Sequence, residues 1–215
     1  MATKTEKVKT TAADRGYPDF HEHLAALDEA GLLCVVDAPV NKDTQLHPLV
    51  RWQYRGGIAE EDRKAFKFTN VINSKGRKYP MPVVVGALST NTAMYSIGMG
   101  VPVEEIGDRW THAMANPIAP RTVEDAACHE VIITGDDLIG EGKGLDALPV
   151  PISTPGYDSA PYLTATNVTT RNPETGTQNM GTYRAGLKAT DRLALRMVTR
   201  PGGAEGALHW RMYKE

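Results

Sequence analysis

An Asn, a Tyr and an Arg sit among small residues in TQNMGTYRAGL, Thr177 to Leu187, which follows the turn-like RNPETG. Strict alternation along a strand puts Asn179, Gly181, Tyr183 and Ala185 on one face and Met180, Thr182, Arg184 and Gly186 on the other. Asn179 and Arg184 are five residues apart, so a regular strand points them to opposite faces. A bulge at Gly181 brings them to the same side. Glycine inside a strand also lets a ligand approach the backbone. One reading is a ligand lying over this strand, held by backbone N–H groups and by Arg184. The other is a barrel bend at Gly181 and Gly186 with a solvated Arg184.

The arginines continue as Arg192, Arg196 and Arg200, next to a Gly-Gly turn in TRPGG, 199–203. Guanidinium groups clamp phosphates bidentately, and a glycine turn offers backbone donors to an anion. The same series also reads as solvated charges on a sheet face. His209, beside Trp210, is either a structural residue or a metal ligand. His21 and His23 are spaced i, i+2 and do not share a helix face. No Walker loop, HExxH or GxSxG motif is present.

These residues need a scaffold, and composition bounds it. The chain has 215 residues, with 41% hydrophobic and 23% charged, which is ordinary globular usage. The formal net charge of −2 gives no electrostatic footprint for nucleic acid. No run approaches the roughly 20 apolar residues that span a bilayer. Cys34 and Cys128 each lie in an apolar run without CxxC spacing, so they read as buried reduced thiols. The N-terminus lacks an apolar signal region, and the expected location is cytoplasmic.

Residues 1–16 read as a flexible tail. Asp19 with Glu22 has capping-box spacing, and Phe20, Leu24 and Leu27 share a face of the helix it opens. Buried strands are expected at LLCVVD (32–37) and PVVVGAL (82–88), with further strands at AFKFTNVI (65–72) and HEVIITG (129–135). Helices are expected around Leu46 to Tyr54, in TNTAMYSIGMG, and in VEEIGDRWTHAMANP. This alternation predicts an α/β domain over 17–145. A linker rich in Pro follows over 146–160. The texture then becomes antiparallel β, with strands near 161–171 and 178–188 joined by a turn at Pro173–Gly176, and another strand in DRLALRMV. So thin a sheet predicts that 161–215 is an incomplete domain.

From Thr166 to Gly203 the sequence resembles the UbiD family of reversible decarboxylases. A Thr-rich strand and a Pro/Gly turn precede Q-N-x-G-x-Y-R, followed by the region of Arg196 and Gly202-Gly203. The part before it is similar to that family's N-terminal domain. The resemblance implies an α/β N-terminal domain followed by part of an antiparallel split β-barrel that binds prenylated FMN. It also implies a divalent metal such as Mn²⁺ and a monovalent cation, K⁺ or Na⁺.

Carried over by position, the resemblance makes Asn179 a metal ligand at the cofactor site. Thr182, Tyr183 and Arg184 become cofactor contacts, and Arg184 also the catalytic arginine beside the substrate carboxylate. Arg196, Met197 and Val198 form a second cofactor segment, Pro201 and Gly202 a third. Thr164 lines the flavin, and His209 matches a metal-binding His. The implied reaction is reversible decarboxylation of an aromatic or α,β-unsaturated carboxylic acid. A flavin prenyltransferase would supply the cofactor, and the full-length enzyme would be a homo-oligomer. The family's metal-binding Glu and catalytic acids lie beyond residue 215, so the chain alone is expected to be inactive. The alternatives are a non-catalytic flavin-phosphate or anion-binding module, or a fragment acting only in interaction through an exposed β edge.

Overall fold

The Asp19 carboxylate accepts from the Glu22 backbone N–H at 2.9 Å, and the Glu22 carboxylate accepts from the Asp19 N–H at 2.6 Å. This reciprocal box satisfies two otherwise orphaned donors and starts the first helix where the sequence predicts it. The computed structural model describes residues 16–124, 126–198 and 204–215, without the side chain of Ala127.

In chain order, the first helix α1 (Phe20–Glu29) leads to β1 (Leu33–Val36) and β2 (Val40–Asn41). Helix α2 (Leu46–Arg55) is followed by β3 (Ala65–Phe68), β4 (Val71–Ile72), β5 (Lys78–Tyr79) and β6 (Val83–Val85). Helices α3 (Thr92–Met99) and α4 (Ile106–Ala115) come next. Then come β7 (Tyr162–Leu163), β8 (Asn167–Arg171), β9 (Gln178–Thr182), β10 (Ala185–Ala189), β11 (Arg192–Leu195) and the last helix, α5 (Glu205–Met212). No helix among the described residues is long and apolar enough to cross a membrane.

The elements gather into two units, each built from separated stretches of chain. The first comprises 1–38, 49–69 and 84–123. Its sheet has the order β1-β3-β6, with β1 and β3 parallel. Leu24 and Leu27 of α1, Ala65 of β3, Ala87 and Met94 form the core, with Leu33, Val84 and Ile97 packed on it. His23, also on the buried face, sets one ring nitrogen 2.8 Å from the Ala87 carbonyl. The residue three before it, Phe20, is instead 48% exposed, so the apolar face of α1 is narrower than its spacing predicts.

The second unit comprises 39–48, 70–83 and 124–215. It holds three small sheets, ordered β2-β4-β5, β11-β10-β7 and β8-β9. The described strands form no closed barrel. The expected turn is present: β8 and β9 are antiparallel and pair Arg171 with Gln178, Thr170 with Asn179 and Val168 with Gly181. The Asn172 side chain accepts from the Glu174 and Thr175 N–H groups, and Gly176 has φ +72°, as this turn requires.

Four expectations are corrected. The run 129–135 is not a strand: short 3-10 turns at Ala127–His129 and Gly135–Leu138 flank it, and Val131 and Ile132 are more than 70% exposed. A β-prone run becomes a strand only against another backbone, and no described strand pairs with this one. The run 65–72 is two strands, β3 and β4, in different sheets. The strands at 32–37 and 82–88 are only partly buried; β1 and β6 are the sheet edges, and Val35 is exposed. Cys34 is half-buried and Cys128 exposed, both free.

Candidate functional site

The hairpin β8–β9 has one covered and one open face. Val168, Thr170, Asn179 and Gly181 are half-buried, while Asn167, Thr169, Met180 and Thr182 are exposed. Helix α5 packs on the covered face. Its sequence, EGALHWRM, puts the small residues Gly206 and Ala207 and the imidazole of His209 inward, and all three are buried. No element past Val198 is expected from periodicity, so this helix is an addition to the sequence reading.

His209 is 1% exposed. One ring nitrogen, Nδ1, lies 2.9 Å from Thr170 Oγ1. Asn179 Nδ2 donates to the same oxygen at 3.5 Å, the outer limit of a hydrogen bond. Two of the sequence-predicted residues, Asn179 and His209, therefore meet at one hydroxyl. The other imidazole nitrogen, Nε2, is buried with no hydrogen-bond partner among the described residues. Glu205 Oε1, one turn back on the helix, is 3.8 Å from it, beyond hydrogen-bond reach.

The glycines have a steric reason. A Cβ on Gly181 would sit 2.5 Å from the Tyr183 ring, whose hydroxyl accepts from the Gly206 N–H at 3.2 Å. A Cβ on Gly186 would sit 2.9 Å from the ring of Tyr162, its partner across β10–β7. Both positions give room to tyrosine rings.

The expected irregularity at Gly181 is not there, because the β8–β9 register runs unbroken through it. The break falls two residues later. Tyr183 and Arg184 lie between β9 and β10, and the chain changes sheets there. The Arg184 carbonyl accepts from the Arg196 N–H at 3.3 Å, which ties the break to the end of β11. Thr182, Tyr183, Arg184, Arg196, Met197 and Val198 thus gather at one junction. Arg184 and Arg196 are exposed, and neither side chain makes an ion pair among the described residues. Thr182 donates weakly to Asn167 Oδ1 at 3.4 Å. Thr164 is exposed just past β7. Pro201, Gly202 and the TRPGG turn lie outside the described residues.

The residues present suit the groups the resemblance implies. A buried imidazole nitrogen without a hydrogen-bond partner is an ordinary ligand for a divalent ion, while the Asn179 amide meets the ring on its other side, through Thr170 at Nδ1. Unpaired guanidinium groups at a strand junction suit a phosphate. No cluster of three or more His, Cys, Asp or Glu side chains that could hold a metal occurs among the described residues. Thr170 was missed by the sequence reading. Pairing across the predicted turn places Thr170 opposite Asn179, and Glu205 is spaced i, i+4 from His209.

By fold and site this is a mixed α/β protein with small sheets and a polar cluster under its last helix. Residues 121–215 match the family model of the UbiD 3-octaprenyl-4-hydroxybenzoate carboxy-lyase Rift-related domain. Among solved structures, the chain is similar to the UbiD-class enzyme HmfF from Pelotomaculum thermopropionicum in complex with FMN. Identity is 28% and the TM-score 0.67, covering 84% of this chain and 37% of that one. An evolved dimeric form of the same enzyme, in complex with prFMN, matches at 27% identity and TM-score 0.64, covering 84% and 38%. Vanillic acid decarboxylase from Sedimentibacter hydroxybenzoicus shares the fold, at 24% identity and TM-score 0.68, over 84% and 38%. The UbiD-family resemblance read from the sequence is thereby shown, and the chain corresponds to little more than a third of the length of these enzymes.

Proposed function

We propose that this chain supplies the N-terminal domain and part of the cofactor site of a prenylated-FMN-dependent decarboxylase. The substrate is an aromatic or α,β-unsaturated carboxylic acid, and the reaction is reversible. The observation that carries the reading is the convergence of Asn179 and His209 on Thr170, with one imidazole nitrogen buried and without a hydrogen-bond partner among the described residues. In this reading the second unit forms part of a split barrel.

Asn179 and His209 would hold the divalent metal, Mn²⁺ or a similar ion, with a monovalent K⁺ or Na⁺ nearby. Thr182, Tyr183, Arg184, Arg196, Met197 and Val198 would line the cofactor, with Thr164, Pro201 and Gly202 completing its contacts. When bound, the modified flavin supplies the electron sink that loss of CO₂ requires. Arg184 orients the substrate carboxylate with its planar fork and stabilises negative charge there. An acid must return a proton to the carbon, and the proposal assigns that acid to a part of the enzyme beyond these residues. The full-length enzyme is read as a homo-oligomer charged by a flavin prenyltransferase.

The test loads the full-length enzyme carrying this segment with prenylated FMN and Mn²⁺. A panel of aromatic and acrylic acids is then presented, and CO₂ release and proton exchange at the product carbon are followed. Turnover of at least one acid is expected. Cofactor binding without turnover or exchange on any acid would leave the non-catalytic flavin-binding reading in its place.

A further inference from the structure

Val131, Ile132, Ile133 and Thr134 are β-branched residues in succession, a side-chain type that suits a strand better than a turn or helix. Yet the run is open. Val131 is 73% exposed, Ile132 71% and Ile133 48%. No hydrogen bond among the described residues involves the backbone N–H or carbonyl of Val131, Ile132 or Ile133. Alternation puts Val131 and Ile133 on one face and Ile132 on the other, so both faces are apolar, as in a strand covered on both sides. The downstream end of the run is fixed. The 3-10 turn Gly135–Leu138 follows at once, and beyond it the Leu145 N–H donates at 2.8 Å to the Thr190 carbonyl, just past β10.

We infer that 131–134 is one half of a β pair, and that the other half is a strand from the part of the same polypeptide outside these 215 residues. The run lies inside the segment that matches the family model, 121–215. The chain covers 37% of the length of HmfF, so an enzyme of that length has further polypeptide to supply the strand. A second copy of the chain is a poor partner, because acidic residues bracket the run: Glu130 before it, Asp136 and Asp137 after it. In the antiparallel register centred on Ile133, Glu130 of one copy faces Asp136 of the other. In a parallel in-register pair each acid faces its own copy. Like charges directly opposite one another destabilise a strand pair. A strand of the same polypeptide needs no second molecule, since the tether holds it at high effective concentration. Pairing answers the open backbone, and the layers around the pair cover the apolar faces. The inference rests on the reading of the second unit as part of a larger barrel, and it does not depend on which metal or acid the enzyme takes.

The test is hydrogen–deuterium exchange, read by mass spectrometry, on the full-length enzyme and on the 215-residue chain, both without cofactor or acid. In the full-length enzyme the peptide over 130–134 should exchange roughly 10³-fold or more slowly than an open loop, at a rate that dilution does not change. In the 215-residue chain the same peptide should exchange as an open loop, while protection of the β8–β9 hairpin shows that chain to be folded. A photo-cross-linking residue in place of Ile132 in the full-length enzyme should join the run to a peptide beyond residue 215, at the mass of one protomer. Open-loop exchange in the full-length enzyme overturns the inference. So does equal protection in the 215-residue chain, or a cross-link that stays within 1–215. Protection that falls on dilution, or a cross-linked product at twice the protomer mass, gives the run to a second copy and overturns it as well. Should the substituted protein not fold, or the short chain lose its hairpin protection, exchange in the parent full-length enzyme at two concentrations still decides whether the run is paired within one protomer. Turnover is measured separately, so failure here leaves the decarboxylase reading to its own test.

Discussion

Two polar clusters lie in the second unit, and they are completed differently. In one, Lys42 is 6% exposed and donates to Asp43 Oδ1 at 2.6 Å and to the Val150 carbonyl at 2.9 Å. Nearby, Arg77 reaches Asp146 Oδ2, the Asp146 carbonyl and the Tyr79 hydroxyl within 2.6 Å. Lys42, Asp43, Arg77, Tyr79 and Asp146 line an open cavity of about 570 Å³. Arg77 Nε is unpartnered, but both terminal nitrogens of the guanidinium are met. In the other cluster, Thr170, Asn179 and His209 converge, and Nε2 has no hydrogen-bond partner among the described residues. A buried charge that has its counter-charge is tolerated, and removing one partner leaves the other uncompensated. Under the proposed function, the imidazole nitrogen without a hydrogen-bond partner among the described residues is where the metal would bind.

The contrast predicts different failures. Asp43→Ala leaves the buried Lys42 ammonium with the Val150 carbonyl but no counter-charge and is expected to cost about 3 kcal/mol in urea unfolding. Lys42→Met with Asp43→Ala should recover most of that loss. A single variant as stable as the parent would show that the pair does not brace this region.

In the full-length enzyme, Arg184→Lys should lower turnover ~10²-fold or more, because lysine lacks the planar fork. Its stability should stay within about 0.5 kcal/mol, since Arg184 is exposed and makes no ion pair among the described residues. Turnover within about twofold of the parent would remove it from the chemistry.

Gly181→Ala must push the Tyr183 ring off the Gly206 N–H, at an expected cost of about 1–3 kcal/mol. Gly57→Ala, where no atom lies within 4 Å but φ is +76°, separates backbone strain from this ring clash. Loss of the tyrosine contact, seen in the ring's NMR signals, should accompany Gly181→Ala alone.

The smallest effect is on acid stability. The Arg77 hydrogen bond, aided by the Gly142 N–H, holds the Asp146 carboxyl below its ordinary value of 3.8 despite partial burial. A depressed carboxylate stabilises fully above the unfolded value and loses that contribution as pH falls through the folded one. Asp146 is 42% exposed, so screening limits the contribution to about 1 kcal/mol. Between pH 5 and 2 the parent should lose that much more stability than Asp146→Asn; equal losses would discard the pair as an acid-sensitive brace.

Local signals in the sequence were sound where the cause was local. The Asp19–Glu22 box and the Pro173–Gly176 turn need only neighbouring residues, and both are present. Alternation correctly grouped Asn179, Gly181 and Tyr183 on the α5 side of the hairpin. Failures came where a distant partner decides. Nothing in HEVIITG says that no described strand will receive it. Nothing near Gly181 says that the chain changes sheets only at Tyr183–Arg184, since β10 is claimed there by β7 and β11. Likewise, the meeting of 39–48 and 70–83 with the C-terminal part rests on pairs such as Lys42 with Val150 and Arg77 with Asp146, far apart in sequence. Glycines at 181 and 186 looked like ligand space because the tyrosines filling that space, Tyr183 and Tyr162, are placed by the fold.

The central claim, that the cluster under α5 receives a divalent metal, is tested most directly by electron spin-echo spectroscopy of Mn²⁺ added to the flavin-loaded full-length enzyme. The account predicts nitrogen modulation from one imidazole in the parent, lost in His209→Ala, and Mn²⁺ held more weakly in Asn179→Ala. Mn²⁺ showing only coordinated water in the parent, or imidazole modulation that survives His209→Ala, would contradict it.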